Sequence, residues 1–61
     1  MNGKSTGFKD TNGNMIFVGD DVWLEGNLYE VIINDFGGYF AINSDLGQGE
    51  LSEVYDICTK A

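Results

Sequence analysis

Asp10-x-Asn12-x-Asn14, with Asp21 eleven positions after Asp10, is the grouping in this sequence whose residue types and spacing come nearest to a metal site. A calcium loop places oxygen ligands at positions 1, 3, 5 and 12, and needs a glycine at position 6 for its sharp turn. Here the sixth position is Met15 and no helical period flanks the loop. Asp and Asn in such a cluster also bond to their own backbone, so the stretch reads as a hairpin turn. Asp20-Asp21 is a second grouping, two adjacent acids, but neighbouring strand residues point to opposite faces and cannot share an acid–base site. Asp20 is read instead as the cap of the turn after Gly19. The third candidate is Cys58. The chain holds no histidine, the usual base for a cysteine or serine nucleophile. A thiol flanked by apolar residues in a last strand reads as inert packing. Gly37-Gly38 and Gly47-x-Gly49 lack the following helix and Lys-Ser/Thr of a phosphate cradle. No catalytic residue, metal or cofactor is expected.

Charge narrows the partners. The 61 residues carry ten Asp and Glu against three lysines, a net charge of −7. Lys4, Lys9 and Lys60 lie near the ends, and no basic residue stands between Asp10 and Thr59. Nucleic-acid binding draws most of its affinity from cations on phosphates, so direct binding to DNA or RNA is not expected. Anionic membrane surfaces are disfavoured for the same reason. A lone cysteine makes no internal disulfide, which points to a reducing setting. No apolar run approaches the ~20 residues of a membrane span, and the opening residues lack a signal peptide's apolar stretch. The expectation is a soluble protein of the cytoplasm.

The elements that position these residues are short strands. Gly19 to Ile33 reads as a turn, a strand, a two-residue loop at Gly26-Asn27 and a second strand. That loop pairs Trp23 with Glu30, Leu24 with Tyr29 and Val22 with Val31. Val22, Leu24, Tyr29, Val31 and Ile33 then share one apolar face. A second reversal at Asp35–Gly38 sets Ile33 against Phe40 and Val31 against Ile42, extending the same face. Before these, Phe8–Asp10 and Met15–Val18 flank a turn at Thr11–Asn14. After them, Ser44–Glu50 reads as a Gly-rich loop, Leu51–Glu53 as a helical turn and Val54–Cys58 as the last strand. Residues 1–6 are expected to be flexible, and residues 7–61 to form one small antiparallel SH3-like barrel of five to six strands. Closure into a barrel removes exposed edges.

The face turned away from that core carries the candidate functional residues. Pairing Ile32 with Ala41 and Asn34 with Tyr39 gathers Trp23, Leu28, Ile32, Tyr39 and Ala41, with Glu25 and Glu30 among them. Aromatic anchors within a charged rim are the composition of protein interfaces. Phe8 is a candidate to cover part of this face.

Phe8-Lys9-Asp10-Thr11-Asn12-Gly13-Asn14-Met15-Ile16-Phe17-Val18-Gly19-Asp20-Asp21-Val22 resembles the N-terminal signature of YopX-like proteins, small proteins of bacteriophages and prophages. The shared pattern is Asp-x-Asn-Gly, an isoleucine, an aromatic and Gly-Asp-x-Val, and Tyr29-Glu30-Val31 is similar to that family's next strand. The resemblance implies an SH3-like barrel core and a phage or prophage source. It implies no activity and no site residues. Two functions follow from the whole sequence. One is a protein-interaction module that self-associates, as a homo-oligomer, or docks on a host protein through Trp23, Leu28, Ile32 and Tyr39, rimmed by Glu25 and Glu30. The other is an acidic inhibitor whose carboxylates imitate nucleic-acid phosphates and block a host DNA-binding or defence protein.

Overall fold

The reversals marked by glycine, asparagine and aspartate separate antiparallel strands in the computed structural model, which describes residues 3–61. The chain is all-β. The described residues form seven strands, β1 (Ser5–Lys9), β2 (Met15–Phe17), β3 (Asp21–Leu24), β4 (Asn27–Asn34), β5 (Tyr39–Ser44), β6 (Gly47–Glu50) and β7 (Thr59–Lys60), and one helical turn, α1 (Leu51–Val54), continued by a 3-10 turn at Tyr55–Ile57. β1 and β2 form a hairpin, and the other five strands form a sheet in the order β6-β5-β4-β3-β7. The hydrogen-bonded ladder therefore ends at β6 and β7 without closing. The chain passes from one of these edges to the other through α1 and the 3-10 turn.

The predicted core face is the observed one. Val22, Val31 and Ile42 are buried on it with Ile16 from β2, Leu51 from α1 and Cys58. Phe8, Leu24, Tyr29, Phe40, Val54 and Tyr55 pack around them. The hairpin and the helical turns thus cover one face of the sheet, and among the described residues no element covers its other face. Phe8 belongs to this core, its ring 4.9 Å from that of Tyr55, and does not cover the outer face as expected.

Four local readings are corrected. The β3–β4 turn is Glu25-Gly26, with φ of 52° and 83°, and not Gly26-Asn27. A two-residue type I′ loop needs positive φ at both positions, and this placement leaves Asn27 free to start β4. Val22 consequently pairs with Tyr29 and Trp23 with Leu28. The shift is by two residues, which moves no side chain to the other face, so an apolar pattern of period two is blind to it.

Residues 3–6 are tied in. Gly3 N–H donates to Val18 O at 2.7 Å, and Thr6 is buried with its hydroxyl donating to Ile16 O at 2.8 Å. β1 is irregular: Ser5 pairs with Phe17 and Lys9 with Met15, so β1 is two residues longer between these pairs, and Gly7 absorbs the bulge with φ 79°. Residues 1 and 2 of the expected flexible segment lie outside the described residues.

Ser44–Glu50 is not a loop but the last residue of β5, the turn Asp45-Leu46 and the edge strand β6. Val54–Ile57 is helical, and the last strand is only Thr59–Lys60.

Candidate sheet-face interface

The uncovered face of the sheet holds the predicted interface residues, but it does not bring all of them together. Trp23 and Leu28 stand directly opposite each other on β3 and β4, 45% and 44% exposed. The next row across the sheet is Asp21, Glu30, Asn43 and Gln48. Beyond it lie Ile32 paired with Ala41, then Asn34 paired with Tyr39. A polar row carrying two carboxylates thus divides the expected apolar patch, and Glu25 sits in the hairpin turn at its tip.

The Ile32–Tyr39 side is also closed by its own side chains. Asn34 Nδ2 donates to Tyr39 Oη at 3.1 Å and to Gln48 Oε1 at 2.6 Å. β4 and β6 flank β5, so the Asn34–Gln48 bond passes over β5. The outer residue midway between its two ends is Ala41, which is 0% exposed. Alanine is the small residue such a bridge needs beneath it. The Tyr39 ring lies where a side chain on Gly37 would be, 2.3 Å from the ideal Cβ position to its Cε1. Tyr39 is held on both sides and is not a free anchor. Trp23 and Leu28 remain as the accessible apolar pair.

A second feature escaped the sequence reading. Leu24, Tyr29, Ile42, Leu46, Gly49 and Val54 are among the residues lining an open groove of about 180 Å³ at the end of the sheet that carries the β3–β4 and β5–β6 turns. Gly47 and Gly49 pair with Ser44 and Ile42, which places both glycines on the core side. Their missing side chains leave that side of β6 open. The signal was present in Gly47-x-Gly49, whose spacing of two on a strand clears one face.

The groups considered for chemistry are committed to structure. Asp10 is 5% exposed. Its Oδ1 accepts the N–H groups of Asn12 at 3.0 Å and Asn14 at 2.8 Å, and its Oδ2 accepts that of Lys60 at 2.9 Å. The Lys60 N–H holds the Asp10 carboxyl below its ordinary pKa of 3.8; burial opposes this, and the bonds from Asn14 and Asn12 add to it. This is the Asx-type turn that the residue types predict, extended to fasten the C-terminal strand. Asp20 caps its turn by accepting Phe17 N–H at 2.8 Å, and lies 3.2 Å from Lys60 Nζ. Lys60 Nζ also donates to Met15 O at 2.9 Å and sits over the Phe17 ring. Cys58, fully buried between the 3-10 turn and β7, has its thiol pKa pushed up by burial, then by the nearby charges of Asp10 and Asp56. A buried, protonated thiol is a poor nucleophile. Among the described residues no group of three or more Cys, Asp or Glu is placed to hold a metal ion. No helix among them is long and apolar enough to cross a membrane.

No protein-family model, no curated protein and no solved structure matches this chain.

Proposed function

We propose that this chain is a non-enzymatic protein-interaction module of phage or prophage origin, working in the cytoplasm of a bacterial host. It docks on a protein, a host protein or a second copy, through Trp23 and Leu28. The observation that carries this reading is that exposed cross-strand pair. The buried core lies on the opposite face, so the fold has no need of an indole there. Tryptophan is among the residues that dominate binding energy at interfaces. The YopX-like resemblance of Phe8–Val22 supports the source. The occupied carboxylate of Asp10 and the buried thiol of Cys58 support the absence of catalysis.

The test is capture from a bacterial lysate on the immobilised protein, eluted with rising salt. A partner held through high salt and lost with Trp23→Glu supports the apolar interface. A partner retained by that variant removes the reading.

One observation favours the inhibitor reading as an alternative. Asp21 and Glu30 stand directly opposite each other, exposed, on β3 and β4. Like charges in that position destabilise a sheet, and a role as phosphate imitation gives the pair a purpose. A basic nucleic-acid-handling partner, released at moderate salt and lost on neutralising Asp21, Glu25, Glu30 or Glu53, supports it.

A further inference from the structure

The geometry points to a second docking site, distinct from Trp23–Leu28: the free edge of β6 takes an extended peptide segment as an added strand, with apolar residues at alternate positions and lysine or arginine between them. Three observations place it. β6 is an edge of the sheet, and Gly47, Gln48 and Glu50 are exposed along it. Asp45-Leu46 is a two-residue turn, so Ser44 and Gly47 bond to each other and the next pair, Asn43 and Gln48, does not. The N–H and C=O of Gln48 therefore point away from β5, toward an incoming strand. Edges are ordinarily blunted by proline, lysine or a bulge; the chain has no proline and β6 has no lysine.

The groove supplies the second observation. A strand laid beside β6 turns alternate side chains toward the core side, where Gly47 and Gly49 leave room and Leu46, Leu24, Tyr29 and Val54 line the space. At about 180 Å³ it is smaller than the ~300–1,000 Å³ of small-molecule pockets and suits a single apolar side chain. Main-chain bonds to the edge with one pocketed side chain are the mode by which sheets add peptide strands.

Charge is the third. Asp45, Glu50 and Glu53 flank the edge in sequence, on the turn before β6, at its end and on α1. They favour basic residues in the segment, and they oppose pairing of β6 with β6 of a second copy, which carries the same acids.

The test is a display library of random nonapeptides selected on the intact protein, with the selected peptide titrated against four variants, Trp23→Glu among them. Gln48→Pro removes the outward N–H while leaving the β5 ladder. Gln48→Ala loses only the side chain and its bond to Asn34. Gly49→Val fills the groove; Gly49 has no positive φ, and its Cβ meets Ile42 Cγ1 at an ordinary 3.7 Å. The expected result is enrichment of alternating apolar and basic residues, with affinity falling about tenfold or more in Gln48→Pro and Gly49→Val. Gln48→Ala and Trp23→Glu bind as the parent does, which separates this site from the Trp23 surface. Thermal melts of each variant show that it is folded. The inference is overturned if selection yields no such pattern, if folded Gly49→Val binds undiminished, or if sedimentation shows a dimer that Gln48→Pro dissociates.

Discussion

Asp10→Asn isolates the fastening on which the domain depends. The carboxylate is nearly fully buried and accepts three backbone N–H groups, two from its own turn and one from Lys60, fifty positions away in sequence. An amide offers one acceptor oxygen in place of two. Whichever way it turns, an NH₂ group faces a donor, either Lys60 N–H or the pair from Asn12 and Asn14. A hydrogen bond to a charged group contributes about 1.5–3 kcal/mol. Loss of the one to Lys60 also loosens β7, whose other ties are its ladder to β3, the Ala61 N–H to Asp21 O and the Lys60 ammonium on Asp20 and Met15 O. The expected cost is about 2–3 kcal/mol at pH 7. A chain of 61 residues has a total stability of about 3–9 kcal/mol, so the change is a large part of it. With a urea slope near ~1 kcal/mol/M for so small a domain, the midpoint falls by about 2–3 M. pH supplies the second arm. The folded-state pKa of Asp10 is below 3.8, so in that range the unfolded chain binds more protons and the stability from Asp10 is lost as pH falls through the folded value. The other carboxylates titrate there too, but the difference between wild type and Asp10→Asn cancels them. That difference is constant above about pH 5 and shrinks below 3.8. Equal urea midpoints at pH 7, or a gap unchanged down to pH 2.5, would refute the reasoning.

Glu25 occupies the left-handed region at φ 52°. Glu25→Asn, the residue favoured there, raises stability by about 0.5–1 kcal/mol, read as a higher melting temperature. Gly37→Ala places a methyl against the Tyr39 ring at 2.3 Å and expels it, costing about 1–3 kcal/mol and changing the tyrosine fluorescence or near-UV signal. Asp21→Lys converts the like-charged pair with Glu30 into an opposite-charged one and stabilises by about 0.2–1 kcal/mol, an effect that added salt reduces.

How much of this was legible depended on the range of the forces involved. The inside–outside pattern was readable because Val22, Val31, Ile33, Phe40 and Ile42 alternate, and the second hairpin register followed from its loop length. The first register was not, because faces survive a slip of two and only the φ demands of Glu25-Gly26 choose between the alternatives. The Thr6–Gly7 bulge, in the strand that begins at Ser5 inside the expected tail, is accompanied by a threonine hydroxyl reaching Ile16 O and leaves no periodic trace. Of the candidate interface, Trp23 and Leu28 were placed on the correct face. The polar bridge from Asn34 to Gln48 could not be anticipated while Gly47–Glu50 was read as loop, since it requires β6 to lie beside β5. The groove was hidden by the same omission.

The disposition of the few cations has a consequence for both proposed surfaces. Lys60 is used internally, against Asp20, Met15 O and the Phe17 ring. Lys4 and Lys9 are exposed at the β1 end, away from the five-stranded sheet in sequence and pairing. Asp21, Glu30, Asp45 and Glu50 are therefore exposed on a sheet that supplies no free cation of its own. Their field acts on a partner before contact, and is screened beyond a Debye length of about 8 Å at physiological salt. Contacts formed by Trp23, Leu28 or the groove act only after docking. The two contributions separate kinetically: salt and Asp21→Lys slow association with a basic partner, whereas Trp23→Glu or Gly49→Val speed dissociation from its own site. A partner whose association rate is indifferent to salt is not recognised by this charge, and the carboxylates then serve solubility alone.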